Sequence, residues 1–294
     1  MSDNNGPKVF LDYTQAELDA AYDQAVYEPN IDQLRKRWFS NSARTRERIG
    51  PPLRRAYGSA GIEALDIFRT DRPNAPIFVF IHGGAWRAGS AAQYLAPAEM
   101  FVRAGAHFVI PDFSWVQDCG GDLLPIADQV CRAIGWVYRN AASFGADPDR
   151  LYVGGHSSGG HLAAVALTTD WPSRFGLPAD LIKGGLCGSG IYDLAPVRLS
   201  HRSSYVNFTD ETVEALSPTR HLDRLQAPVI VAYGTDETPE FQRQGRDFAA
   251  SLHDIGKLYE LVLGEHFCHL ELPETLCNPY GHLGAPVLRM MGLS

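Results

Sequence analysis

The segment GGHSSGGHL, residues 154–162, sets two serines side by side among four glycines and between two histidines. It follows the apolar run RLYVGG (150–155), which has the length of a buried strand, and it leads into the alanine-rich stretch HLAAVAL. A strand, a glycine-rich turn and a helix in direct succession indicate a βα unit of a parallel sheet. The rest of the chain can be read outward from this unit.

The glycine spacing distinguishes between the two serines. In a sharp strand-to-helix turn, the strand end and the first helical turn nearly touch, so the residues two before and two after the serine must be tiny. Ser157 has Gly155 and Gly159 at those positions, whereas Ser158 has the bulky His156 before it. The pattern G-x-S-x-G therefore predicts that Ser157 is the nucleophile.

Strand-like and helix-like segments alternate on both sides of the serine turn. This alternation predicts an α/β fold with a mostly parallel central sheet and helices on both faces. We expect one domain spanning 1–294, with a helical extension over about 1–50 and a small inserted lid over about 194–220. The other expected strands are LRRAYG (53–58), GIEALDIFRTD (61–71), PIFVFI (76–81), HFVIPDFSW (107–115), IKGGLCGSGIYD (182–193), PVIVAYG (228–234) and LYELVLG (258–264).

Composition narrows the classes of partner and compartment. A net charge of -8 argues against nucleic acid, because phosphate binding requires a basic face. The longest apolar runs stop far short of the roughly 20 residues that cross a bilayer, and the amino terminus does not resemble a secretory signal. Five scattered cysteines without a CxxC pair are typical of reduced thiols. We expect a cytoplasmic protein acting on a small molecule, without cofactor or membrane partner; a homodimer is left open.

The loop after the strand at 76–81 reads HGGAW, residues 82–86. Two successive glycines let backbone amides turn towards a pocket that side chains would otherwise obstruct. An acyl-transfer site needs such amides to stabilise the negative oxygen of the tetrahedral intermediate. We expect the oxyanion hole to be formed by the amide of Gly83 or Gly84 together with that of Ser158.

A serine hydroxyl also needs a base, and the base needs an acid that orients it. The loop after 228–234 offers Asp236 and Glu237, while Thr238 already has the character of a helix cap. Asp236 lies nearer the strand end and is the expected acid, with Glu237 as the alternative.

The loop after the last strand contains two histidines. His266 is two residues beyond Gly264, and His269 lies further along the chain. We expect His266 to be the base, with His269 as the alternative. His266, Cys268 and His269 are also close enough to suggest a metal site, but the chain has no HExxH motif and no second cluster of ligands.

Aromatic side chains near the strand ends are candidates for a substrate pocket. We expect Trp86, Phe113 and Tyr205 to bind substrate, and Trp115 or Phe208 could extend the same wall. Such a wall suits an aromatic substrate. Packing in the hydrophobic core is the competing role for each of these side chains.

Taken together, HGG-x-W (82–86), GHSSGGHL (155–162), GTDETPEFQRQ (234–244) and EHF (265–267) resemble the bacterial arylformamidase (kynurenine formamidase) group of the α/β-hydrolases. This group is similar to the hormone-sensitive-lipase-like esterases. The resemblance runs from about residue 60 to the end, and it implies Ser157, Asp236 and His266 as the catalytic triad. The chain departs from the group's pattern at Glu265 and Cys268, where Asn and Glu are common.

The resemblance implies a serine hydrolase that cleaves an aryl formamide, such as N-formylkynurenine, through an acyl-enzyme. The main alternative is a carboxylesterase or amidase acting on small aryl esters, amides or carbamates. A non-catalytic small-molecule binder on the same fold is a further alternative, although the chain retains a serine, an acid and a histidine at suitable places.

Overall fold

The computed structural model describes residues 6–293, and its centre is a single eight-stranded sheet. A small antiparallel hairpin near the amino terminus comes before the sheet. The strands of the hairpin and then of the sheet are β1 (Lys8–Phe10), β2 (Tyr13–Thr14), β3 (Leu53–Ala56), β4 (Ala64–Phe68), β5 (Ala75–Ile81), β6 (His107–Pro111), β7 (Ala146–His156), β8 (Ile182–Gly188), β9 (Val229–Gly234) and β10 (Leu258–Gly264).

The strands of the sheet run in the order β10-β9-β8-β7-β5-β6-β4-β3. Only the pairings of β4 with β3 and with β6 are antiparallel, and the other pairings are parallel. The mostly parallel sheet expected from the sequence is therefore confirmed. Because parallel strands end at one edge of the sheet, the loops after β5, β7, β9 and β10 are brought to the same side of the molecule.

Helices cover both faces of the sheet. They are α1 (Gln15–Ala21), α2 (Gln24–Tyr27), α3 (Ile31–Ile49), α4 (Ala98–Ala104), α5 (Leu124–Asn140), α6 (Ser158–Leu167), α7 (Trp171–Phe175), α8 (Asp210–Ala215), α9 (Pro239–Asp254) and α10 (Gly284–Met290). All ten residues of α6 are buried, because this helix packs directly behind the central strands.

Two apolar clusters fill the space between the sheet and its helices. All seven residues of β5 are buried, so its side chains alternate between the two clusters: Ile77 and Val79 belong to one, Phe78 and Phe80 to the other. A strand buried on both faces is apolar throughout, and for this reason the run at 76–81 shows no polar alternation.

Several segment boundaries differ from the sequence expectations by a few residues; the strand expected over 182–193, for example, ends at Gly188. The strand expected over 107–115 ends at Pro111, and the carboxylate of the next residue, Asp112, accepts a hydrogen bond from the amide of Ala91 at the start of a short 3-10 turn. The helix α5 ends at Asn140 and continues as one 3-10 turn over Ala141–Phe144.

The segment 194–220 consists of short helical turns and α8, with no strand between its ends. It packs against the first helix of the chain. The amide of His201 donates to the carboxylate of Asp19 (2.6 Å), and the side chain of Gln15 donates to the carbonyl of Leu199 (2.7 Å). The amino-terminal helices and this segment thus meet above the carboxyl edge of the sheet.

Between residues 6 and 293, none of the helices combines the length and the apolar character that crossing a membrane requires.

Candidate active site

Ser157 stands at the turn between β7 and α6. Its backbone has φ 59° and ψ −126°, a conformation that costs a non-glycine residue roughly 1–3 kcal/mol. The turn is held in place by two backbone hydrogen bonds, from the amide of Ser157 to the carbonyl of Gly188 (2.9 Å) and from the amide of His161 to the carbonyl of Ser157 (3.0 Å). The strained serine lies in the wall of an open cavity.

The glycines on either side of the serine have no room for a side chain. A Cβ at Gly155 would meet the carbonyl of Gly159, and a Cβ at Gly159 would meet the carbonyls of Ile81 and His82. These obstacles are backbone atoms, which cannot move aside without distorting the sheet. The steric reason for selecting Ser157 from the G-x-S-x-G pattern is thus present in the structure.

The HGG loop lies next to the serine. A Cβ at Gly83 would be 3.2 Å from the Cβ of Ser157, and Gly84 and Ala85 contribute to the wall of the same cavity. Gly84 has φ 125°, which a residue with a side chain rarely adopts. Ser158 is the first residue of α6 and is buried, so its amide belongs to the helix amino terminus beside the serine. An oxyanion hole at these amides remains a prediction.

The histidine that shares the cavity with Ser157 is His269. Its ring is buried, and Nδ1 lies 2.8 Å from Oε2 of Glu237. The other carboxylate oxygen of Glu237 accepts hydrogen bonds from the amide of Gly234 (2.6 Å) and the hydroxyl of Ser189 (2.7 Å). Both oxygens are therefore held in fixed positions, and one of them faces the imidazole.

The structure does not bring the expected acid and base into this cavity. The side chain of His266 is 83% exposed and that of Asp236 is 54% exposed; Nδ1 of His266 lies 3.8 Å from a carboxylate oxygen of Asp236. Neither residue lines the cavity that contains Ser157. The geometry thus corrects the choice within each loop and favours the two alternatives, Glu237 over Asp236 and His269 over His266.

The path of the loop after β10 explains this correction. Backbone hydrogen bonds from Phe267 to the carbonyl of Gly264 and from Asp236 to the carbonyl of Phe267 tie the two loops together and leave His266 on the outside. His266 has φ 58°, which marks the sharp turn at that point. Counting residues from the strand end could not reveal a turn that carries the chain back towards the sheet.

Neighbouring side chains hold His269 in position. The imidazole of His156 packs against it with ring centroids 4.5 Å apart, and Nε2 of His156 donates to the carbonyl of His269 (2.8 Å). The side-chain amide nitrogen of Gln24 lies 3.1 Å from Nδ1 of His269. The buried carboxylate of Glu28 accepts a hydrogen bond from the amide of Leu270 (3.2 Å). The amino-terminal helices, whose part in the site the sequence did not indicate, thus brace the histidine loop.

Burial sets the protonation of this site. It lowers the pKa of His269, and the positive charges of Arg202 and Arg35 lower it further. Burial likewise raises the pKa of Glu237. A neutral His269 that donates from Nδ1 to the carboxylate leaves a free lone pair on Nε2, which is the state a general base needs at neutral pH.

The cavity has a volume of about 540 Å³, within the range of pockets that enclose small ligands. Besides Ser157 and His269, its lining includes six aromatic side chains: Tyr22, Trp38, Phe39, Tyr94, Trp115 and Tyr205. Trp38 and Phe39 come from α3, which the sequence indicated only as a helix preceding the core.

Two of the three expected substrate-binding residues lie in the core instead. Trp86 is buried and donates from its indole N–H to Nδ1 of His161 (3.2 Å), and Phe113 stacks on His82 with centroids 4.2 Å apart. Neither side chain lines the cavity, so both expectations are corrected. Tyr205 does line it, as does Trp115. Within residues 6–293 there is no group of three or more His, Cys, Asp and Glu side chains that could hold a metal ion.

A mostly parallel sheet with a strained serine after a central strand, and with a buried histidine and carboxylate on the loops after two later strands, defines an α/β-hydrolase. Comparison with known proteins agrees. A family model described as BD-FAE matches residues 65–177. The esterase LipW of Mycobacterium marinum superposes with a TM-score of 0.69 at 18% identity, covering 92% of this chain and 89% of that one.

Two relatives indicate the kind of hydrolase. Kynurenine formamidase of Danio rerio is 30% identical over 245 residues, covering 81% of this chain and 81% of that protein. Esterase LipQ of Mycobacterium tuberculosis is 31% identical over 224 residues, covering 68% of this chain and 52% of that protein. The chain belongs to the kynurenine formamidase family, and the protein is a hydrolase that acts on esters or formamides.

Proposed function

We propose that the protein is an arylformamidase that removes a formyl group from an aromatic amine through a Ser157–His269–Glu237 triad. The observation that carries this proposal is the hydrogen bond of 2.8 Å between the buried side chains of His269 and Glu237. The imidazole of His269 lines the same cavity as Ser157. A serine, an imidazole and an orienting carboxylate are the three groups that nucleophilic acyl transfer requires.

In the first half of the reaction, Nε2 of His269 takes the proton of the Ser157 hydroxyl while its oxygen attacks the formyl carbonyl. The tetrahedral intermediate carries a negative oxygen, which the amides at Gly83 or Gly84 and at Ser158 stabilise. One such donor contributes about 3 kcal/mol to transition-state stabilisation. His269 then protonates the leaving amine, and the C–N bond breaks to give the formyl-enzyme.

In the second half, His269 removes a proton from water, which attacks the formyl-enzyme. The second tetrahedral intermediate breaks down to formate, and the proton returns to Ser157. Glu237 stabilises the imidazolium formed in each half and keeps the ring in the tautomer that leaves Nε2 free. Both halves use the same groups, so no cofactor is needed.

The substrate class rests on two observations. The relative of Danio rerio is named a kynurenine formamidase. The cavity wall contains Trp38, Tyr94, Trp115 and Tyr205, whose ring faces suit an aryl group. N-formylkynurenine, an aryl formamide, is the substrate we propose.

Two experiments test the proposal. Labelling with a serine-directed phosphonate followed by peptide mass spectrometry should modify Ser157, and label absent from this residue would refute its role as nucleophile. Steady-state turnover of N-formylkynurenine and of a short aryl acetate should then be compared on one preparation. Efficient deformylation supports the proposed activity, whereas robust ester cleavage without deformylation would favour a carboxylesterase instead.

A further inference from the structure

A buried arginine lines the active-site cavity without an acidic partner. The side chain of Arg202 is only 6% exposed, and no carboxylate within residues 6–293 lies within 4.0 Å of its nitrogens. Burial of a charge without a counter-charge is costly, and such charges are normally paired. This guanidinium therefore needs an explanation beyond packing.

The hydrogen-bond acceptors that residues 6–293 supply to the guanidinium of Arg202 are all neutral. Nη2 donates to the carbonyl of Tyr22 (2.8 Å) and Nη1 to the hydroxyl of Tyr205 (3.1 Å), while Nε is buried without a hydrogen-bond partner. The guanidinium also lies over the rings of Trp86 and Phe241, at 5.6 and 5.7 Å from their centroids. These contacts fix the position of the guanidinium, but they do not compensate its positive charge. The N–H of Nε, among others of its five N–H donors, has no acceptor among the described residues.

Two more arginines line the same cavity. Arg87 lies over the ring of Tyr205 at 4.4 Å. Among residues 6–293, the acidic neighbour of Arg35 is the exposed Asp32, at 3.3 Å on the same helix, α3. Asp23 is the one acidic residue among the lining residues that the structure describes. Although the chain as a whole carries a net charge of -8, the wall around the nucleophile is positive. A pocket lined by one sign of charge attracts ligands of the opposite sign.

We propose that Arg202, supported by Arg87 and Arg35, forms an anion subsite that binds a carboxylate of the substrate beside the reacting formyl group. Arginine presents paired N–H groups that match a carboxylate in geometry and in charge. The preferred substrates are accordingly aryl formamides or esters that carry a carboxylate, and neutral analogues are poorer substrates. The inference rests on the proposed function, and it adds a specificity-determining residue to that site.

The first test uses the unchanged enzyme. L-kynurenine and its carboxamide, which differ by one charge, are compared as competitive inhibitors of the hydrolysis of a neutral aryl acetate. We expect the carboxylate to inhibit at a concentration about 10- to 100-fold lower, the range for one charge-assisted hydrogen-bond pair. Equal inhibition, or stronger inhibition by the carboxamide, would overturn the subsite even though ester hydrolysis by Ser157 continued.

The second test uses variants of the arginine. Arg202→Met should reduce the ratio of kcat/KM for N-formyl-L-kynurenine to that for its carboxamide by about 10- to 100-fold, mainly through KM. Arg202→Lys, which keeps the charge, should restore part of the ratio. Arg198→Met is the matched control, because Arg198 lies on the same segment and pairs with the exposed Asp210 (2.7 Å).

The outcomes separate the subsite from the proposed activity. An unchanged ratio in Arg202→Met, with turnover of both substrates retained, would refute the subsite alone. Absence of deformylation from the unchanged enzyme would refute the arylformamidase activity, and the inhibition test on the ester would still report on the anion subsite. If Arg202→Met does not fold, the inhibition test on the unchanged enzyme decides the matter.

Discussion

Replacing Glu237 by glutamine is the most informative change to the proposed triad. Gln has the shape of Glu, and its amide oxygen can keep the hydrogen bonds from the amide of Gly234 and the hydroxyl of Ser189. The amide nitrogen then faces Nδ1 of His269, where the carboxylate oxygen now lies at 2.8 Å. An N–H in that place cannot accept from Nδ1–H, so the ring turns to the tautomer that carries its proton on Nε2.

The size of the effect follows from this change of tautomer. A histidine protonated on Nε2 cannot take the proton of Ser157, and the corresponding acid-to-amide change in a serine protease lowers kcat about 10⁴-fold. We expect Glu237→Gln to lower kcat by about 10³- to 10⁴-fold on both a formamide and an aryl acetate, with little change in KM. The free energy of unfolding should change by less than about 2 kcal/mol, because the hydrogen bonds to the other oxygen remain.

Asp236→Asn is the matched control. Asp236 is the neighbouring acid, its side chain is 54% exposed, and it lies outside the cavity. We expect its kcat to stay within about threefold of the unchanged enzyme, since surface substitutions have small effects. Loss of activity in Asp236→Asn with retention in Glu237→Gln would refute the assignment of the acid.

Three further predictions concern stability. Burial lowers the pKa of His156 to about 3 and of His161 to about 4, so these two side chains together bind up to about two more protons in the unfolded chain than in the folded one between pH 4 and 6. The lowered pKa of His269 and the raised pKa of Glu237 have opposite effects on the proton balance and largely offset each other in this window. The free energy of unfolding should therefore fall by about 2–3 kcal/mol per pH unit on acidification, and urea midpoints that do not change with pH would contradict this. Gly159→Ala should destabilise by about 3 kcal/mol through collision with backbone carbonyls, while Gly61→Ala, with open space around it, should change the urea midpoint little. Glu28→Ala should lower the free energy of unfolding by about 1–3 kcal/mol, measured by thermal unfolding, because the amide of Leu270 loses its acceptor. It should also lower kcat, because the loop that carries His269 is then held less firmly.

The sequence predicted the fold and the sharp turn at Ser157 well because each depends on local patterns. The apolar run at 76–81 and the glycine spacing around Ser157 reflect burial and steric contact within a few residues. Such features need no knowledge of distant parts of the chain. The strands on both sides of the turn at Ser157 were therefore recognisable, with boundary differences of only a few residues.

The acid and the base were harder to predict because their positions depend on how two loops fold against each other. The loops after β9 and β10 contain Glu237 and His269, the two residues that we propose as acid and base, and the sequence offered each of them as the less favoured alternative. Glu237 and His269 face inward because two long-range hydrogen bonds hold their loops. One runs from the amide of Asp236 to the carbonyl of Phe267, and the other from the amide of Leu270 to the carboxylate of Glu28.

Apart from Tyr205 and Trp115, the aromatic wall could not be predicted, for a similar reason. Trp86 and Phe113 follow strand ends, as pocket residues often do, yet both side chains are buried in the apolar core. Trp38 and Phe39 lie more than 100 residues from Ser157 along the chain, and the packing of α3 against α4 and the segment around Gln93 brings them to the cavity. Long-range packing of this kind leaves no periodic pattern.

The most direct test of the site compares two single variants, His269→Ala and His266→Ala, by kcat/KM on one activated aryl acetate and on N-formylkynurenine. If His269 is the base, its variant loses at least about 1,000-fold on both substrates. The His266 variant, changed at a side chain that is 83% exposed, stays within about threefold of the unchanged enzyme. The reverse result, with His266→Ala inactive and His269→Ala active, would contradict the triad proposed from this structure.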